Sequence, residues 1–149
     1  MRSYLLKATT CLSVVAFLLS GCEKEVETAD TTTYHAVGKI TGLKNVADSF
    51  LVQVQADSIL YPIYVQQGIF TNQNLTLNYR NNVVDYLCQQ LHGPCKYKAG
   101  NLFLLTDSAK VNASQCMDLA LTQNAIAGDV KSDILLEFMS FLSFQNAGQ

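Results

Sequence analysis

From residue 34 to residue 80 apolar and polar side chains alternate in short runs, and beyond Asn82 the spacing changes to that of a helix. Residues 34–41 (YHAVGKIT) and 49–56 (SFLVQVQA) read as strands. In the second, Phe50, Val52 and Val54 alternate with Gln53 and Gln55, a period of two that turns one face inward. Residues 59–65 (ILYPIYV) are apolar on both faces. Pro62 has no N–H to give to a ladder, so this run is expected at a sheet edge or a bulge. A short strand at 69–71 follows the Gln67-Gly68 turn, and residues 75–80 (LTLNYR) alternate again through Leu75, Leu77 and Tyr79.

Asn82 is placed to cap a helix, since its side chain can accept from a free first-turn amide. Val84, Leu87, Cys88 and Leu91 then recur at i, i+3, i+4 and i+7, and Gly93-Pro94 ends the run. Residues 96–97 and 102–106 suggest a hairpin around Ala99, Gly100 and Asn101. Asn112 with Gln115 resembles a capping box that opens a helix to about Ala125, with Gly128 as the stop. Ser132 or Asp133 caps a last helix whose segment 134–144 (ILLEFMSFLSF) is apolar nearly all round. Such a helix is buried on several sides, or offers an apolar face to a partner or a ligand.

Strands followed by helices predict an α+β domain, a mostly antiparallel sheet of about 4–6 strands with two or three helices on it. Residues 75–125 resemble the small strand-helix-strand-strand-helix domains at the N-termini of secretins and TonB-dependent receptors. The likeness is carried by LTLNYRNNVVDYLCQQL and the strand NLFLL, and the cysteines and the apolar last helix depart from it.

The first 22 residues carry an address. Arg2 and Lys7 precede a 12-residue mainly apolar run, 8–19, that ends at Leu19-Ser20-Gly21-Cys22. At about 1.5 Å per residue the run covers roughly 18 Å, short of a bilayer core of about 30 Å. This resembles the lipobox of bacterial lipoproteins. The resemblance implies a signal peptide at 1–21, removed in the mature chain, and lipidation at Cys22. Acyl burial contributes about 0.8 kcal/mol per methylene, so two or three chains would hold firmly. Glu23 stands where an aspartate would signal inner-membrane retention, so the resemblance implies the outer membrane, with the domain toward the periplasm. Residues 22–33 are acidic, Thr-rich and without apolar periodicity, a flexible tether to a single domain at 34–149.

Charge and chemistry narrow the function classes. Residues 22–149 hold 8 Lys or Arg against 12 Asp or Glu, and no basic cluster stands ready for nucleic acid. The polar surface is supplied by 11 Gln and 10 Asn instead. Six residues separate Cys88 from Cys95 across the Gly93-Pro94 reversal, and an oxidising compartment favours a disulfide between them. Pairing of either with Cys116 stays open, as does a zinc site of Cys88, His92, Cys95 and Cys116, whose spacing matches no standard signature. No nucleophile elbow, phosphate loop or paired metal histidines occur, so no catalytic residue, metal or cofactor is assigned.

The expectation is a non-enzymatic accessory lipoprotein that binds another envelope protein in a secretion, conjugation or pilus setting. Ile63 and Tyr64 of the edge strand, or the last helix, would make the contact. The alternative is a carrier or inhibitor in which Phe138, Met139, Phe141 and Leu142 line a pocket for an apolar ligand.

Overall fold

The computed structural model describes residues 32–99 and 103–144, and every regular element among them is a helix. In chain order these are α1 (Thr33–Ala36), α2 (Lys39–Ala56), α3 (Leu60–Gln66), α4 (Gln73–Gln90), α5 (Asp107–Gln123) and α6 (Gly128–Phe144). The expected α+β class is therefore corrected: no described residue lies in a strand, and the class is all-α.

Helix α2 shows why the period was misread. Its buried residues are Leu43, Val46, Ala47, Phe50, Leu51 and Val54, a stripe at helical spacing along about three turns. Phe50 and Val54 satisfy both a period of two and a helical i, i+4 step. Val52 decides between them, and it is 59% exposed. The alternation at 75–80 fails in the same way: Tyr79 is buried, Leu77 is 43% exposed, and both belong to α4. That helix starts earlier than Asn82, because Asn72 caps it by accepting from the amides of Asn74 (3.0 Å) and Leu75 (3.3 Å).

The supposed edge strand at 59–65 is α3. Asp57 accepts from the amides of Ile59 (2.8 Å) and Leu60 (2.7 Å), and Pro62 falls in the first turn, where a missing N–H costs no helical bond. Residues 69–71 are a turn. The hairpin expected at 96–106 is not formed by its described residues, and residues 100–102 lie outside them. Helix α5 starts at Asp107 behind the cap Thr106, not at Asn112, and α6 starts at Gly128 instead of near Ser132.

Four long helices close a ring of contacts, α2 to α4, α4 to α6, α6 to α5 and α5 back to α2. The α2–α5 pair is the most extensive, and the buried face of α5 carries Ala109, Ala113 and Ala120, small enough for close helix approach. Arg80 of α4 reaches Asp48 of α2 through Nη2 at 2.6 Å. Within the ring Phe50 of α2 meets Phe138 of α6 edge to face at 5.0 Å.

A disulfide joins Cys88 to Cys95 with the Cα atoms 5.7 Å apart, tying the end of α4 to the connection that leaves it. Gly93 makes this approach possible, since a Cβ there would lie 2.6 Å from Cys88 Sγ and 2.7 Å from the Tyr34 ring. A ring this short constrains the unfolded chain by about 2–3 kcal/mol. The Cys88→Ser, Cys95→Ser double variant is expected to lose that much in urea unfolding and to keep its helical far-ultraviolet spectrum.

Candidate functional site

Among the described residues two places concentrate chemistry, one sealed and one open. The sealed one is aromatic. Tyr64 of α3, Tyr79 of α4 and Phe103 of the α4–α5 connection are all buried. The Phe103 ring lies 4.4 Å from that of Tyr64 and 4.9 Å from that of Tyr79, and the two tyrosine rings are 5.4 Å apart, edge to face. Phe141 of α6 continues the cluster at 6.3 Å from Tyr79 and 5.3 Å from Tyr86.

The two phenols satisfy each other, Oη to Oη at 2.9 Å. Burial pushes the Tyr64 phenol well up, and the neighbouring Tyr79 charge adds to this. Tyr79 is also raised by burial, against a smaller opposing effect of its bond to Tyr64. Cys116 of α5 is buried, and desolvation, helped by Asp57, pushes its thiol up to about 11. All three groups stay protonated at neutral pH. The cluster is apolar packing with one internally satisfied hydrogen bond, and it presents no reactive group to water.

The open place is a cleft of about 340 Å³ between α1, the end of α4 and α6. Leu91 and Leu136 form its apolar part, and Gln90, His92, Asp133 and Glu137 bring polar groups to it. Thr33 donates to Asp133 Oδ2 at 2.7 Å, which fixes one carboxylate at the rim. Helix α4 ends here in a Schellman arrangement: the Gly93 amide donates to the Cys88 carbonyl (2.7 Å) and the His92 amide to that of Gln89 (3.2 Å). His92 consequently holds a left-handed φ of 65°, and its exposed side chain stands at the cleft wall.

The residues expected to carry function are distributed differently. Tyr64, Phe138, Phe141 and Leu142 are sealed in the interior, while Ile63 and Met139 are half-buried against it. No strand edge exists at Ile63 and Tyr64, and the inward residues of the last helix form neither a docking face nor a pocket wall. Both sulfurs of Cys88 and Cys95 are spent on the disulfide, which removes the zinc alternative. Among the described residues no group of three metal-binding side chains comes together. Cys22 and the leader lie outside the described residues. Sequence reading gives Asp133 only a capping role and no sign that it meets Thr33, Gln90 and Glu137, because three distant segments form the cleft and no local spacing announces it. Tyr79 was read as a strand residue and Phe103 as part of a hairpin, so their meeting was hidden too.

The model of the bacterial-like globin family matches residues 32–146, and the chain belongs to that family. No curated protein matches it. This corrects the reading of the domain as unassigned, with its likeness to secretin and TonB-receptor domains. It also overturns the role of envelope adaptor and the carrier alternative.

Globins hold haem iron through a histidine. The chain has two histidines, His35 and His92. His35 is half-exposed on α1 and His92 is exposed beyond α4, so neither faces the centre of the helix ring. Other axial donors fare no better. Cys116 is held as a thiol, and Tyr64 and Tyr79 are bonded to each other as phenols. The residues present do not fit a histidine-ligated haem at the centre of the helix ring.

The phenol pair generates a stability prediction. Tyr79→Phe or Tyr64→Phe leaves one buried hydroxyl unsatisfied and should cost about 1–3 kcal/mol, whereas the double Phe variant should cost less than the sum. Folded phenols and the Cys116 thiol hold their protons to higher pH than the unfolded chain, whose values lie near 10.0 and 9.0. More protons bound in the folded state means stability complete below about pH 9 and falling above it. Urea unfolding from pH 8 to 11 should show this fall, and the double Phe variant should flatten its part above pH 10.

Proposed function

We propose that this globin domain binds a small, positively charged, hydrogen-bond-donating ligand in the outer cleft, without catalytic turnover. The observation that carries the reading is the convergence of Asp133, Glu137, His92 and Gln90 on a cleft of about 340 Å³ that, among the described residues, no lysine or arginine lines. That volume suits a compact ligand. Asp133 and Glu137 stand one turn apart on α6, so a primary ammonium group can reach both carboxylates, and charge-assisted hydrogen bonds of that kind are the stronger sort. Leu91 and Leu136 supply a short apolar wall for a methylene chain.

His92 adds support. Its left-handed backbone position is one that glycine occupies at lower cost, and the imidazole is kept at the cleft wall all the same.

The place of work is a second proposal: outside the cytoplasm, attached to the outer membrane through Cys22. The Cys88–Cys95 disulfide supports an oxidising compartment, since such bonds are rare in the cytosol. Intact-mass analysis of the protein from its native host should find residues 1–21 absent and two or three acyl chains on Cys22. A bare thiol or a retained leader refutes this placement.

The ligand reading is tested by titrating ethanolamine and putrescine into the folded domain and following backbone amide shifts. Saturable shifts are expected at Leu91, His92, Asp133 and Glu137, and the Asp133→Asn, Glu137→Gln variant should lose them. Absence of saturation, or shifts that survive in the variant, rejects the reading. His92→Gly should raise stability by up to about 1 kcal/mol, by relieving the left-handed strain, while weakening amine binding.

A further inference from the structure

We infer that this globin fold has closed its prosthetic-group space with its own rings, so that Tyr64, Tyr79 and Phe103 fill the centre and the chain folds without haem. The globin fold packs its helices around a haem pocket. Here the described residues between α2, α4, α5 and α6 pack a core of large side chains. Phe50, Phe138, Phe141, Leu87 and Met117 are all fully buried there.

Ring spacing bears on this directly. A flat macrocycle needs about 3.5 Å of contact distance on each face, hence roughly 7 Å between groups on either side of it, so none can lie between rings that touch. The centroids of Tyr64, Tyr79 and Phe103 are 4.4 to 5.4 Å apart, which is direct contact. Phe103 comes from the connection between α4 and α5, and none of that connection's described residues is helical. Its ring plugs the space from that side, and Leu105 is buried two residues further on. Gln67 Nε2 donates to the Leu104 carbonyl at 3.1 Å, holding the plug against the end of α3. Position and donor chemistry agree, because the two imidazoles stand outside this centre.

The closed centre and the outer cleft use opposite faces of α6. On α6, Asp133, Leu136 and Glu137 share the cleft face, while Ile134, Phe138 and Phe141 share the inner one. Amine binding can fail while the centre stays closed, and the reverse also holds.

The test is titration of hemin into the folded protein. Expected are no 1:1 complex, no sharp Soret band and no rise in melting temperature. A stoichiometric complex with a sharp Soret band, lost in His35→Ala or His92→Ala, overturns the inference. A second experiment opens the plug. Phe103→Ala, or the milder Phe103→Val where alanine prevents folding, should take up indole while the wild-type protein does not. Indole uptake by the wild type, or a folded Phe103 variant that takes up none, overturns the inference as well.

Discussion

Where four long helices meet in a ring, the space at their centre has to be filled at close to crystalline density, since voids forfeit contact energy along their whole lining. In this chain the filling is aromatic and comes from three elements that lie far apart in sequence. The Tyr64–Tyr79 hydroxyl contact at 2.9 Å locks the short helix α3 to α4, and Phe103 wedges against both rings. Two buried hydroxyls are tolerable because each satisfies the other. Helix α3 has only seven residues and would not persist in isolation, so its place rests on packing against α2 and α5, on this contact and on the Asp57 cap.

A family fold and a family cofactor are separable. A bound prosthetic group contributes packing, but it must be captured from solution against lost translational freedom. Aromatic side chains on the chain supply apolar surface without that capture step. Retention of the α2–α4–α6–α5 ring alongside an aromatic centre is physically consistent, since the helices need a filled interior and not any particular filler.

How far the fold could be read from the sequence depended on where two periods coincide. Val84, Leu87, Cys88 and Leu91 carry an unambiguous helical stripe, and that segment lies within α4 and its C-cap. Residues 134–144 likewise fall inside α6. Short windows such as Phe50, Val52 and Val54 fit both periods, and only the longer stripe from Leu43 to Val54 separates them. Pro62 argued for an edge strand because a first-turn proline looks the same in sequence. The cleft was beyond local reading for a different reason: Thr33 and Asp133 are 100 residues apart, and only tertiary packing brings their side chains to 2.7 Å. What the sequence did hold was the histidine count, which limits haem ligation before any coordinates are known.

The end of α4 shows how local constraints shape the cleft. The disulfide, the close approach of Gly93 to Tyr34 and the two Schellman hydrogen bonds all act within residues 88–95. Each removes freedom from the same turn, and together they set the wall that carries Gln90, Leu91 and His92. The opposite wall is rigid for another reason, because α6 is clamped from behind by Phe138 and Phe141 in the aromatic centre. A cleft with both walls fixed before a ligand arrives spends little ordering free energy on binding. The sealed interior thus takes no part in recognition itself, and it contributes by holding one face of α6 still while the other face meets solvent.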